Sequence, residues 1–251
     1  MDQFIENDYF RGIRLKRDQI PSFHEFPFNL PSIQTLEEIS FHPNVTYFVG
    51  ENGMGKSTLL EAIAVAAGFN PEGGSFNFNF STYDSHSELD NFIQLVKGIV
   101  KPRDGFFLRA ESFYNVASSI EEMDREGFGP RVIDSFGGVS LHEQSHGESF
   151  WATFMNRFRG NGIYLMDEPE AALSPLRQLS MLARIHELVK QNSQFIIATH
   201  SPIIMAYPHS TIIEFTEDGA KETTLEETGH YQMMKQFFED KDRVLHHLLA
   251  E

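Results

Sequence analysis

The octapeptide Gly50-Glu51-Asn52-Gly53-Met54-Gly55-Lys56-Ser57 constrains this chain more than any other stretch. It reads G-x-x-x-x-G-K-S, a phosphate-binding loop. Its glycines let the backbone wrap so that successive N–H groups face phosphate oxygens. Lys56 is placed to reach the β- and γ-phosphates, and the Ser57 hydroxyl to meet a magnesium ion. The flanks give the motif its context. Val45 to Val49 is a β-branched and aromatic run, hence a buried strand, and Ser57 to Ala64 is a strong helix former whose positive dipole end falls at the same spot. Gly50, Glu51, Asn52, Gly53, Met54, Gly55, Lys56, Ser57 and Thr58 are therefore the expected nucleotide-contacting residues.

At 251 residues, 41% of them hydrophobic and 24 of them Phe, the chain is long enough for one substantial aromatic-rich core or two lobes. It has no Cys, so disulfide frameworks and thiolate metal sites are excluded. No apolar run approaches the roughly 20 residues of a membrane span, and the N-terminus lacks signal-peptide form, so a cytoplasmic location is expected. A formal net charge of −16 disfavours broad binding to nucleic acid, which relies on neutralising phosphates. The densest basic cluster, Arg11, Arg14, Lys16 and Arg17, falls on an expected first strand. It reads as a solvated face or as a contact for nucleotide or polyanion.

Strands alternate with helices along the chain, which argues for α/β architecture with a largely parallel sheet. Pro21 to Pro31, dense in proline and phenylalanine, is expected to be irregular. A half-exposed strand is expected over Ser75–Phe80, and an amphipathic helix over Glu88–Val100 from the spacing of Leu89, Phe92, Ile93, Val96 and Ile99. Phe106 to Glu111 reads as a strand, Gly127 to Ser140 as a loop and Phe150 to Phe158 as a helix. Leu176 to Val189 is a long helix, Gln194 to Thr199 an apolar strand, and Thr211 onward a hairpin. A helix from about Tyr231 closes the chain.

Two further clusters carry chemistry. Ile163-Tyr164-Leu165-Met166 forms a strand, expected beside the phosphate-loop strand, that delivers Asp167 toward bound magnesium and Glu168 toward a water poised at the γ-phosphate. A carboxylate there polarises the water and takes its proton. Ala198-Thr199-His200-Ser201-Pro202 ends another strand at a histidine able to hydrogen-bond the γ-phosphate or the attacking water.

In this order the motifs resemble the ATP-binding-cassette (ABC) ATPases. The likeness is strongest to the soluble branch of SMC- and RecF-type heads and single-domain bacterial AAA/ABC ATPases. It extends to Gly105-Phe106-Phe107-Leu108-Arg109-Ala110-Glu111-Ser112-Phe113 and to Ala171-Ala172-Leu173-Ser174-Pro175. The resemblance implies a P-loop NTPase fold: an ABC head with a parallel core sheet, an antiparallel N-terminal part and a C-terminal helix. It implies a single domain over 1–251, with a helical lobe from about 70 to 150, and ATP and Mg2+ as cofactors. Gln144-Ser145-His146-Gly147-Glu148 corresponds to the signature loop, Leu-Ser-Gly-Gly-Gln in the family, with Ser145 and Gly147 retained. Ser174 falls at the D-loop aspartate, and Glu111 or Ser112 at the metal-contacting glutamine.

The resemblance further implies a head-to-tail homodimer. Each site would combine Lys56, Ser57, Asp167, Glu168 and His200 of one subunit with Ser145 and Gly147 of the other, switching an unknown protein or nucleic-acid partner. A DNA-processing role and a regulatory or defence module gating a separate effector are both open. A third reading comes from His142-Glu143-Gln144-Ser145-His146, which spells H-E-x-x-H, the zinc-protease pattern. Its overlap with the signature loop argues against it.

Overall fold

Val45–Gly50, the strand ahead of the phosphate loop, is buried over its whole length, as strands covered on both faces are. In the computed structural model, which describes residues 8–76, 87–127 and 129–249, it lies inside a six-stranded sheet. The strands in chain order are β1 (Phe10–Leu15), β2 (Glu38–Ser40), β3 (Val45–Gly50), β4 (Ile93–Lys97), β5 (Asp104–Arg109), β6 (Gly162–Asp167), β7 (Gln194–Ala198), β8 (Ser210–Thr216) and β9 (Gly219–Thr223). The helices are α1 (Pro31–Gln34), α2 (Lys56–Ala67), α3 (Leu89–Phe92), α4 (Phe113–Glu126), α5 (His146–Arg157), α6 (Pro175–Lys190), α7 (Pro202–Met205), α8 (Gly229–Glu239) and α9 (Lys241–Leu249).

The large sheet runs β5-β6-β7-β3-β8-β9, parallel except for β9, which closes an antiparallel hairpin with β8. A small antiparallel sheet, β2-β1-β4, holds the N-terminal part. Side chains alternate across the large sheet. Tyr47, Tyr164 and Met166 enter one core with Phe113, Phe150, Phe154 and Ile185 from α4, α5 and α6. Phe48, Ile163 and Leu165 enter the other with Leu59, Leu60 and Ile63 of α2 and with Ile13 and Ile93 of the small sheet. The parallel strands all point their C-terminal ends at one edge. There the phosphate loop, Asp167 and the residues after Ala198 emerge together, where open α/β sheets bind ligands.

Several expectations are corrected. Glu88–Val100 is not one helix: a single turn, α3, gives way to β4, which pairs antiparallel with β1. An apolar run this short fits either period, and the open hydrogen-bonding edge of β1 decides for a strand. Strand β6 does not lie beside β3, because β7 sits between them and pairs with both. The glycine-rich 127–140 stretch carries a 3-10 turn, Val132–Phe136, that buries Ile133 and Phe136. Most of the strand expected over 75–80 lies outside the described residues; within them, Gly74 bridges Phe107 of β5.

Candidate functional site

The phosphate loop leaves β3 through Gly50 and enters α2 through Gly55, and neither position admits a side chain. A Cβ at Gly50 would stand 2.2 Å from the Phe215 carbonyl oxygen, and one at Gly55 2.7 Å from Ser32 Oγ, both at positive φ. Ser32, fully buried in α1, donates its hydroxyl to the Met54 carbonyl, so the proline-rich lead-in buttresses the loop. Glu51, Asn52 and Gly53 form its exposed tip. At the start of α2 no side chain caps the helix, leaving the first-turn N–H groups of Lys56, Ser57 and Thr58 for an anion. Lys56 is 4% exposed, and its ammonium donates to the Glu51 carbonyl at 2.9 Å. Burial pulls its pKa down, while the carboxylates of Glu168 and Asp167 push the other way. A buried ammonium held by one carbonyl, at an uncapped helix start, fits a phosphate group.

Ser57 and Asp167 converge from different elements: Ser57 Oγ donates to Asp167 Oδ1 at 2.8 Å. Burial raises the Asp167 pKa to about 6, against the Arg109 guanidinium and the Ser57 hydrogen bond, which lower it. A hydroxyl and a buried carboxylate are the donor set a small hard cation takes, so the pair fits Mg2+. Arg109, at the end of β5, lies 3.5 Å from Asp167 and 2.6 Å from Glu61 of α2.

Glu168 follows in the left-handed region, φ 49° and ψ 52°, a conformation costing a non-glycine residue about 1–3 kcal/mol. Its backbone N–H donates to the Ala198 carbonyl at 2.9 Å, and its side chain, 43% exposed, faces His200 Nε2 at 3.5 Å. That distance is too long for a good hydrogen bond. Burial, Lys56 and His230 all lower the His200 pKa, so the ring is neutral. Glu170, two residues beyond Glu168, accepts the His200 backbone N–H and the Thr199 hydroxyl, the latter at 2.7 Å. It thereby ties the His200 strand end to the Asp167 strand end.

A cavity of about 430 Å3 is lined by Ser57, Ala110, Glu111, His146, Asp167, Glu168 and Ala171. Glu111 is at its wall with a side chain 87% exposed and an Arg109 contact of 3.7 Å; the Ser112 hydroxyl turns away to the Glu72 carbonyl. Of the two, only Glu111 opens on the cavity. His146, expected only within the signature loop or the H-E-x-x-H pattern, lines the cavity of its own chain. Ser145 and Gly147 do not line this cavity. Ser145 caps α5 in a reciprocal box with Glu148, its N–H donating to Glu148 Oε2 at 3.1 Å. A Cβ at Gly147 would come within 2.6 Å of the Ala172 carbonyl, so the start of α5 packs against the turn that follows Glu168. Ser174 caps α6 by accepting from the Arg177 N–H.

The H-E-x-x-H pair does not share a helix: His142 sits in the 3-10 turn Leu141–Glu143 and contacts Ser118 Oγ at 3.1 Å, while His146 opens α5. Among the described residues no three His, Cys, Asp or Glu side chains gather as a ligand set. The basic cluster is spent locally: Arg14 pairs with Glu38 at 3.1 Å, and Lys16 and Arg17 donate to backbone carbonyls.

Arg109, Glu170 and His230 are the site residues that motif reading passes over. Only Glu170 left a signal, in the Asp167-Glu168-Pro169-Glu170 spacing.

A family model described as an AAA domain matches residues 28–123, and one described as an AAA ATPase domain matches 150–205. Together they bracket all three motifs. A nucleotide-free ATP-binding cassette from an ABC transporter superposes with a TM-score of 0.51 at 16% identity, covering 94% of this chain and 97% of that one. The chain has the ABC-type P-loop fold. An ABC transporter described as of metal-chelate type, in an inward-facing conformation, matches with a TM-score of 0.50 at 17% identity, covering 91% of this chain and 88% of that one. An SMC head domain from Thermotoga maritima is more distant, with a TM-score of 0.45 at 15% identity over 86% of this chain and 98% of that one, and adds nothing to the assignment. No curated protein matches the sequence. Among the described residues no helix is long and apolar enough to cross a membrane.

Proposed function

We propose that this chain binds Mg·ATP and hydrolyses it, and that ATP draws two copies together head to tail as a switch on a separate partner. The observation that carries the reading is the convergence of Lys56, Ser57, Asp167, Glu168 and His200 at one sheet edge. Lys56 and the α2 N–H groups would hold the β- and γ-phosphates. Ser57 and Asp167 would hold the magnesium ion, with Glu111 at the same cavity wall. Bound there, magnesium supplies neutralisation of the phosphate charge. Glu168, with its side chain 43% exposed, would accept the proton of the attacking water. His200, neutral, would donate a hydrogen bond to the γ-phosphate.

Ser145 sits exposed at the start of α5 and outside the cavity lining, where a partner's nucleotide can reach it. That placement supports a composite site. A DNA-processing partner is the first candidate for the output, on the soluble-branch resemblance. The test of the core reading is calorimetric: Lys56→Ala should lose ATP binding, and undiminished affinity would remove the site. Gel-shift assays with gapped and blunt DNA at moderate salt address the output.

A further inference from the structure

His200 does not stand alone on its strand end. Its Nδ1 lies 3.0 Å from Nε2 of His230, in the first turn of α8, with the two rings edge to face at 5.0 Å between centroids. One of these nitrogens must carry the proton and the other the lone pair. The opposite nitrogen of His200, Nε2, is sealed from solvent, has no hydrogen-bond partner among the described residues, and points at Glu168 Oε1 from 3.5 Å.

The two arrangements are not equivalent. If His200 donated through Nδ1, its Nε2 lone pair would face the Glu168 carboxylate, acceptor against acceptor, and could not hydrogen-bond a phosphate oxygen. If His230 donates, His200 carries its proton on Nε2, directed at Glu168. The ring must also stay neutral for Nδ1 to accept. Burial, the Lys56 ammonium and His230 hold it so, against the opposing pull of Glu168. The Glu170 carboxylate is occupied by the His200 and Thr199 backbone and hydroxyl donors.

We infer that His230 is a positioning residue for the ATPase site: by donating Nε2–H to His200 Nδ1 it fixes His200 as an Nε2–H donor aimed at the γ-phosphate position. The inference rests on the ATPase reading above for its consequence, but not for the contact itself. The contact is built. Thr228, fully buried, caps α8, donating to the Leu225 carbonyl at 2.8 Å and accepting from the Tyr231 N–H. The Gly229 N–H donates to Glu214 Oε1 of β8 at 2.9 Å. His230 is thus one residue beyond two anchors. Through it α8 sets the proton of a side chain thirty residues upstream, a relation no local motif carries.

Two variants and two readouts test this. His230→Phe keeps the ring and removes the donor; His230→Gln restores a side-chain N–H at similar reach. The first readout is long-range proton–nitrogen NMR of the His200 imidazole in the nucleotide-free protein, which reports the protonated nitrogen directly. The second is ATP turnover, separated into kcat and KM. The wild type should show Nε2–H. His230→Phe should move proton population to Nδ1 and lower kcat about 3–10-fold, the loss of roughly one hydrogen bond, with KM little changed. His230→Gln should recover most of both. An Nδ1–H wild type, an unchanged tautomer and kcat in His230→Phe, or a Gln variant as impaired as the Phe variant each overturns the inference. Should His230→Phe fail to fold, the wild-type tautomer and the Gln variant still decide. A wild-type chain without ATP turnover would remove the ATPase reading while leaving the tautomer measurement to judge the contact.

Discussion

Arg109 and Asp167 are register partners across β5 and β6, and the guanidinium Nε of the first lies 3.5 Å from Oδ2 of the second. The same arginine donates to the Pro71 carbonyl at 3.0 Å and pairs with Glu61 of α2 at 2.6 Å. One cation therefore braces the phosphate-loop helix, the strand carrying Asp167 and the turn after α2. Arg109→Met keeps much of the volume but leaves two nearly buried carboxylates without their cation. A destabilisation of about 3–5 kcal/mol is expected, as for breaking one side of a buried pair. Urea denaturation without nucleotide measures it. A change within about 0.5 kcal/mol, typical of surface substitutions, would show that the brace is not a brace.

Asp167 gives a pH signature. Its folded pKa, about 6, is raised above the ordinary carboxyl value because burial outweighs Arg109 and Ser57. A raised carboxyl stabilises the fold fully below its unfolded pKa of about 3.9, and that contribution is lost as pH climbs through about 6. Roughly two pKa units amount to about 3 kcal/mol. Asp167→Asn, which cannot ionise, should thus gain on wild type between about pH 4 and pH 7 in metal-free buffer. The gain should be about 1–3 kcal/mol, the lower part reflecting the partner that Arg109 loses. Urea midpoints at several pH values test the slope. A constant difference between the two proteins would mean that burial does not control this carboxyl.

The phosphate loop was legible because its chemistry is local. Gly50 and Gly55 are required by close approaches that no side chain survives, and Lys56 and Ser57 follow at a spacing set by one backbone turn. Asp167, Glu168 and His200 were legible because each terminates an apolar strand. What lies between elements was not. The insertion of β7 between β3 and β6, and the choice of β4 over a helix, are set by hydrogen-bonding edges rather than by side-chain pattern. Arg109 and His230 owe their roles to strand register and helix docking, so nothing near them in sequence announces them, and Glu170 shows only in its spacing from Asp167. His146 is the reverse case: visible as a substitution in the signature loop, it turns out to line the cavity of its own chain.

On the resemblance to ABC ATPases Glu148 corresponds to a signature-loop glutamine, and its carboxylate occupies the Ser145 N–H and hydroxyl at the start of α5. Those hydrogen bonds lower its pKa, so it is ionised at neutral pH. A partner's γ-phosphate would compete for the same donors and meet a like charge. Glu148→Gln keeps the capping box and removes the charge. ATP-dependent dimerisation should strengthen severalfold at low salt, with the difference fading as salt screens the exposed charge. Sedimentation equilibrium with Mg·ATP at two ionic strengths reads this out. Weaker association of the variant would count against a phosphate approaching Ser145.

If Glu168 accepts the proton of the attacking water, Glu168→Gln should bind ATP normally and hydrolyse it about 10²–10⁴-fold more slowly. The left-handed backbone at 168 suits glutamine no worse than glutamate, so the fold should persist. With the γ-phosphate retained, Ser145 of each copy stays engaged with the other's nucleotide, and dimer should accumulate. Loss of a negative charge near the γ-phosphate favours the closed state further. Adding Ser145→Arg places a bulky cation in the composite site but leaves Lys56, Ser57 and Asp167 untouched, so ATP should still bind while the dimer is lost. Light scattering with Mg·ATP on wild type, Glu168→Gln and the double variant separates the outcomes. A Glu168→Gln chain that stays monomeric at high protein and ATP, or a double variant that dimerises equally well, would sink the head-to-tail arrangement. The site would then be a P-loop ATPase working within one chain, with His146, already at the cavity wall beside Ser57 and Asp167, as the first residue to suspect of supplying what the partner does not.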